Sequence, residues 1–388
     1  MTLATTTGSL VEAVRAVGVE ADRRASETEG RRRLPDDLAA SLIGTGLLRA
    51  WVPARYGGAE ADVLTVLDAI EELAWHDGAT AWCGMIGATT SLTAARLPPE
   101  WAERIYGDPL AATGGYAMPV GTARQVEGGL LVSGDWPWGS FTQHCTWIGG
   151  GCLLVDGDGT PAARSDGLLA PFVFFEPAQV ELLDTWRVAG LKGTGSTDYR
   201  VVEAFVPEGR WAVVLGPPLL DTPLSRFPLL GALSLGVCSV ALGLARRGQD
   251  ELVALAGGKR PAQSNRTLAE RPIVQAQVAR AEASRRAARA LVREVVEEAW
   301  SAASDGDELT GEHKRLLRLA ATDATRRSAA AVDLMYDAGG GSSIHESSAL
   351  QRVFRDVHVV TQHGMVAERT YEVLGRMALG LPTDTSTL

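Results

Sequence analysis

Apolar residues recur every three or four positions across residues 8–48, at Leu10, Val14 and Val17 and again at Leu38, Leu42 and Leu47. That is the period of helices with one buried face. Pro35 followed by Asp36 and Asp37 predicts a helix start, because the first turn does not use the N–H that proline lacks. WVPARYGGAE (51–60) breaks the period at Pro53 and Gly57-Gly58. It resumes through VLTVLDAIEELAWHDG and PPEWAERIYGD. From about 111 to 215 the texture changes. Val126, Glu127-Gly128-Gly129 and the following LLVSG form a hairpin signature, with glycines supplying positive φ. WIGGGCLLV, FVFFEPAQVELL and YRVVEAFVP are further short β-type runs. After Pro217-Pro218 the helical period returns. Val274, Val278, Ala281, Ala288, Val292, Val295 and Ala299 mark one face, and Leu317, Ala320, Ala324, Ala331 and Leu334 mark another that ends at Gly339-Gly340-Gly341. Long Ala-rich helices suit close antiparallel packing. The expected architecture is mainly α with a central β domain: a helical domain over 1–110, a β domain over 111–215 and a helical bundle over 216–388.

Composition narrows the function classes. The 388 residues carry a net charge of −10, which argues against nucleic-acid binding, and Arg31-Arg32-Arg33 reads as a solvated helix end. No run reaches the roughly eighteen apolar residues of a membrane span, and the N-terminus has no secretory pattern. A cytoplasmic protein with reduced, buried Cys83, Cys145, Cys152 and Cys238 is expected. His358 and His363 are five apart, without further ligands, so no metal site is expected.

GLKGTGSTDY (190–199) contains GxG but leads into a β-type run rather than a helix, which excludes a dinucleotide fingerprint. Gly339-Gly340-Gly341 lacks the GK[ST] of a phosphate loop, and there is no GxSxG elbow. WPWGSFTQHCTW (136–147) concentrates three tryptophans, a phenylalanine, a serine and a histidine in a chain that is only 6% aromatic. It is either aromatic β-core or the wall of a pocket for a flat ligand. Strand alternation would put Trp136, Trp138 and Ser140 on one face and Phe141 on the other. Without a bulge it would also put Ser140 and His144 on the same face.

Several strings, in order, resemble the acyl-CoA dehydrogenase fold, and within it the branch of flavin-dependent monooxygenases that are oxygenase components of two-component systems. They are LLRAWVPARYGGAEAD with EELAWHDGATAW, then VSGDWPWGSFTQHCTW, then DTWRVAGLKGTGSTDYRVVEAFVP, and last AGGG with LQRVFRDVHVVTQHGMVAERTYEVLGRMALGLP. The resemblance covers nearly the whole chain. It implies a helical N-terminal domain, a barrel or sandwich β domain and a C-terminal four-helix bundle, assembled as a homotetramer. It also implies reduced flavin, FMNH2 ahead of FADH2, delivered by an NAD(P)H-dependent reductase. Reaction with O2 through a C4a-hydroperoxide would then oxygenate an aromatic or polycyclic small molecule.

By the same resemblance Ser140 sits at flavin N5 and His363 acts as the base beside the substrate, with His144 as a further catalytic candidate. Trp136, Trp138, Lys192, Gly193, Thr194, Gly339 and Gly340 would contact the cofactor; Trp82, Met118 and Phe141 would face the substrate. Arg355-Asp356 reads as an ion pair fixing the last helix, and His358 as a packing residue beside Asp356. Two positions depart from the branch: Phe141 replaces a usual glycine, and Val366 stands where some phenol hydroxylases carry an acid. Alternatives remain. Glu346 would be the base of an acyl-CoA dehydrogenase, N- or S-oxidation uses the same scaffold, and a member without flavin would keep only the fold.

Overall fold

The computed structural model describes residues 7–262 and 264–388. Six helices come first: α1 (Thr7–Arg23), α2 (Ala25–Arg31), α3 (Asp36–Gly44), α4 (Val63–His76), α5 (Gly78–Ser91) and α6 (Pro99–Tyr106). Helix α3 begins directly after Pro35, as the sequence predicts. The Asp62 carboxylate caps α4 by accepting from the Thr65 N–H, and Asp77 both ends α4 and caps α5 through the Thr80 N–H at 2.8 Å.

Seven strands follow: β1 (Thr113–Val126), β2 (Gly129–Gly139), β3 (Trp147–Val155), β4 (Phe172–Phe175), β5 (Glu181–Leu182), β6 (Thr197–Pro207) and β7 (Trp211–Ala212). They form one sheet in the order β5-β6-β2-β1-β3-β4-β7. Only β1 and β3 run parallel; the other pairs are antiparallel. Two irregularities matter for the site. β1 bulges between Tyr116 and Gly121, and the β2–β6 register shifts between Trp136 and Gly139.

The C-terminal part holds α7 (Pro223–Arg226), α8 (Leu229–Gly258), α9 (Pro272–Asp305), α10 (Gly311–Gly339), α11 (Ala349–Val360) and α12 (Thr370–Ala378). Helix α8 is the shared axis, packing against α10 and α11 on one side and α4 and α5 on the other. Gly243 permits the closest approach: a Cβ there would lie 2.3 Å from the Glu71 carbonyl of α4. Helix α8 also corrects the hydropathy expectation. It is long and apolar enough to cross a membrane, yet 83% of its most apolar window is buried inside the protein, as befits a central bundle helix.

Charged ties fix the domains to one another. Arg289 bonds Glu71 and Asp68, and Arg293 bonds Asp68, joining α9 to α4. The expected Arg355–Asp356 ion pair is absent. Adjacent helical residues point in different directions, so Arg355 reaches Glu29 of α2 at 2.8 Å while Asp356 turns inward and accepts from the Leu191 N–H at 2.6 Å. His358 bonds Asp333 at 2.8 Å rather than lying with Asp356.

Asp356 is buried, and desolvation pushes its carboxyl up from 3.8 to about 7 despite the Leu191 hydrogen bond. A folded-state pKa above the unfolded value contributes stability below pH 3.8, and that contribution disappears as pH rises through 7. Asp356→Asn keeps an acceptor for Leu191 and cannot ionise. Its stability relative to wild type, from urea midpoints, is therefore expected to increase from pH 4 to pH 8. A pH-independent difference would contradict this.

Candidate active site

Strand β2 stops at Gly139, and positive φ angles undo the alternation expected beyond Trp136. Trp138 has φ 58° and Phe141 φ 64°. Trp136 is therefore fully buried, stacked on Tyr199 with centroids 5.3 Å apart, and its Nε1–H donates to the Gly151 carbonyl. Trp138 is 59% exposed and meets only the edge of Tyr116. The two tryptophans do not share a face: Trp136 is core and Trp138 is a surface shelf.

Phe141 is fully buried, and its backbone N–H donates to the Thr194 carbonyl. It packs on the His144 ring at 5.1 Å instead of lining a cleft. Its left-handed backbone gives a physical reason for glycine at this position elsewhere in the branch. His144 lies on a 3-10 turn (Thr142–His144) rather than on a strand facing with Ser140. Its Nε2 is 3.1 Å from the Leu34 carbonyl, tying the β domain to the N-terminal helices. Burial, assisted by Arg33, lowers its pKa and keeps the ring neutral.

Ser140 heads a chain of hydroxyls. Its Oγ is 2.6 Å from Ser196 Oγ, which is 2.6 Å from Thr194 Oγ1, and Thr194 donates to the Leu191 carbonyl at 2.9 Å. Each hydroxyl has one proton, so the carbonyl fixes every direction. Thr194 accepts from Ser196, and Ser196 accepts from Ser140. Trp82 Nε1–H donates to Ser140 Oγ at 3.0 Å. Ser140 has thus used its only proton and keeps one lone pair. It can accept a further hydrogen bond and cannot donate one.

His363 completes the cluster. Its ring meets Trp82 edge-on with centroids 5.5 Å apart. Nδ1 accepts from the Met365 N–H at 3.3 Å, which places the ring proton on Nε2, and Nε2 has no partner among the described residues. Desolvation, with the Arg318 charge adding to it, pushes the imidazole down to about 4. Arg318 is itself buried and holds the Met365 and Thr387 carbonyls. Val366, in the place of an acidic partner, is fully buried, and the ring is oriented by the Met365 N–H and the edge-on contact with Trp82.

Residues 7–98 match the acyl-CoA dehydrogenase N-terminal domain and residues 235–368 the acyl-CoA dehydrogenase C-terminal domain. The indole-3-acetate monooxygenase of Pseudomonas putida is 33% identical over 94% of this chain and 92% of its own length. The chain belongs to the acyl-CoA dehydrogenase family, on its flavin-dependent monooxygenase branch. The oxygenase subunit HsaA of Rhodococcus jostii is 28% identical over 93% of this chain and 96% of its own. XiaF from Streptomyces, solved with FADH2 and glycerol, superposes with a TM-score of 0.90 at 26% identity, covering 97% of this chain and 96% of XiaF.

Among the other candidates of this monooxygenase-branch chain, Gly193 and Thr194 lie on the turn Lys192–Thr194 beside Ser140, and the Lys192 carbonyl accepts from Trp186 Nε1. Met118 stands exposed at the β1 bulge, near the Trp138–Tyr116 shelf. Gly339 and Gly340 do not join the cluster. The Gly339 carbonyl is held by Lys259, just past the C-terminus of α8, whereas Gly78 at the start of α5 abuts Leu244. Those two points on α8 are about 22 Å apart at 1.5 Å per residue. Glu346 is exposed on a turn. Sequence reasoning did not single out Ser196 or Arg318. Ser196 stood inside GLKGTGSTDY, but its role depends on a partner 56 residues away.

Phe141→Ala is expected to lose about 3–5 kcal/mol of unfolding free energy, the range for deleting a buried aromatic ring. Denaturant titration measures it; a loss below about 1 kcal/mol would contradict the packing role of the ring.

Proposed function

We propose that Ser140, Trp138, Trp82 and His363 form the reduced-flavin and substrate site of a two-component oxygenase acting on an aromatic small molecule, fed by a separate flavin reductase. The observation that carries this is the hydroxyl chain. Reduced flavin presents an N–H at N5, whereas oxidised flavin presents a lone pair there. Ser140, held as a pure acceptor, matches the first and repels the second. FMNH2 and FADH2 satisfy this equally, because they share the isoalloxazine ring. When bound, reduced flavin would supply the two electrons that activate O2, one oxygen atom of which goes to the substrate while the other leaves as water. The exposed Trp138 offers an aromatic face to the ring system, and Trp82 and the His363 loop shield the Ser140 end from water. Gly339-Gly340 reach such a cofactor only from a neighbouring subunit, which fits a homotetramer.

His363 acts here as a neutral donor through Nε2–H. Moving a proton from a phenol of pKa near 10 to an imidazole near 4 is uphill by about 8 kcal/mol, so direct base catalysis is disfavoured. A hydrogen bond from Nε2 to the substrate's polar atom orients the ring without that cost. An acyl-CoA dehydrogenase reading finds no support at Glu346, which is exposed.

Ser196→Ala frees the Ser140 proton and is expected to cut the ratio of reduced- to oxidised-FMN affinity about tenfold, the worth of one hydrogen bond to the site. Anaerobic and aerobic flavin titrations measure the two constants, and an unchanged ratio would remove the hydroxyl chain from flavin selection. For His363→Ala, product formed per reduced flavin is expected to fall while reduced-flavin affinity stays within about twofold. Unchanged coupling would sink the donor role.

A further inference from the structure

Helix α5 continues into a 3-10 turn, Leu92–Arg96, whose last residue lines a cavity of about 610 Å3 at the opposite end of the helix from Trp82. At helical rise, Arg96 is about 20 Å along the chain axis from Trp82. The cavity walls come from the segment after β7, the start of α8, the α9–α10 turn and the tail residues Thr385, Ser386 and Leu388, with Val214 and Leu230 as part-exposed apolar surface.

The cations of this cavity differ in their partners. Arg226 is engaged by Asp221 at 2.7 Å and by the Ala303 carbonyl. Arg96 has neither an acceptor nor a carboxylate among the described residues, and its Nε is sealed from solvent without a partner. Lys314, in the first turn of α10, likewise has no side-chain partner there. Burial lowers the pKa of Arg96, the signature of a desolvated charge without a counter-ion. A shielded guanidinium N–H left unpaired is costly, and an anionic ligand removes that cost.

The remaining acids favour a monoanion. Asp221 is taken by Arg226, while Asp307 and Glu308 are solvent-exposed at the rim, where their charges are screened but still oppose a dianion. A free guanidinium fork matches a carboxylate in two parallel hydrogen bonds. A small inorganic anion would leave the part-exposed Leu230 and Val214 uncovered.

We infer that this cavity is a second small-molecule site, separate from the Ser140–His363 cluster, which binds aromatic carboxylates with the acid on Arg96 and Lys314 and the ring on Leu230 and Val214. Residues of α10 connect it to the His363 loop. Leu317 packs at Gly231 of α8, and Arg318, one turn past Lys314, holds the Met365 carbonyl. The site does not depend on flavin chemistry, so its test does not either.

The test is calorimetric titration of the full chain, without flavin, with 1-naphthylacetate, benzoate and the neutral 1-naphthylacetamide. The acids are expected to bind, with 1-naphthylacetate tightest and the amide at least tenfold weaker. Arg96→Gln is expected to weaken the acids at least tenfold while keeping the wild-type melting temperature, and Lys314→Gln to weaken them less. Ser140→Ala, in the other cluster, is expected to leave the affinities unchanged. If Arg96→Gln does not fold, Lys314→Gln and the acid-to-amide ratio decide. Binding of neither acid at millimolar concentration, equal binding of acid and amide, or unaltered affinity in Arg96→Gln would overturn the proposal. A fall in affinity with Ser140→Ala would place the ligand in the flavin cluster and overturn it too.

Discussion

One carbonyl, that of Leu191, sets the polarity of the candidate active site. A carbonyl oxygen cannot donate, so the Thr194 hydroxyl meets it as a donor, and the same constraint passes through Ser196 to Ser140. The N–H of the same residue is held by Asp356 of α11. Leu191 sits in the left-handed region, φ 50°, so its two backbone groups are committed by a conformation that L-residues seldom adopt. The three residues after Val360, the end of α11, lead to His363. Both sides of the cluster thus hang on α11: the hydroxyl chain through Asp356 and the imidazole through the helix terminus.

The helices surrounding this arrangement were legible because burial imposes a period on them. The α3 start after Pro35, the apolar faces of α9 and α10 and the glycine stop at Gly339 follow from local chemistry. Helix α8 was less so. Its near-uniform apolarity removes the period, and its neighbours on both sides explain why the bundle contains it. At the site, alternation predicted Trp136, Trp138 and Ser140 on one face, and the positive φ angles at Trp138 and Phe141 defeated it. A period-two argument presumes extended backbone, and no feature of WPWGSF announces that two non-glycine residues leave it.

Ser140, Trp82 and His363 do converge, although they come from three separate segments. The resemblance of their surrounding strings carried that expectation; spacing alone did not. The roles of individual groups needed geometry. His144, matched by motif, is a tie to Leu34, and His363 has Val366 where an acidic neighbour would raise its basicity. Arg355 and Asp356, adjacent in sequence, serve two different domains. Such assignments rest on contacts between residues 100 or more positions apart, which one sequence does not display.

The central claim is that Ser140 offers its ligand an acceptor lone pair. The most direct measurement is the 15N spectrum of reduced FMN labelled at N5, bound anaerobically to wild type and to Ser140→Ala. The N5–H resonance is expected to show a hydrogen-bond shift in wild type that is lost in the variant. Superimposable N5–H resonances in the two proteins would contradict the account.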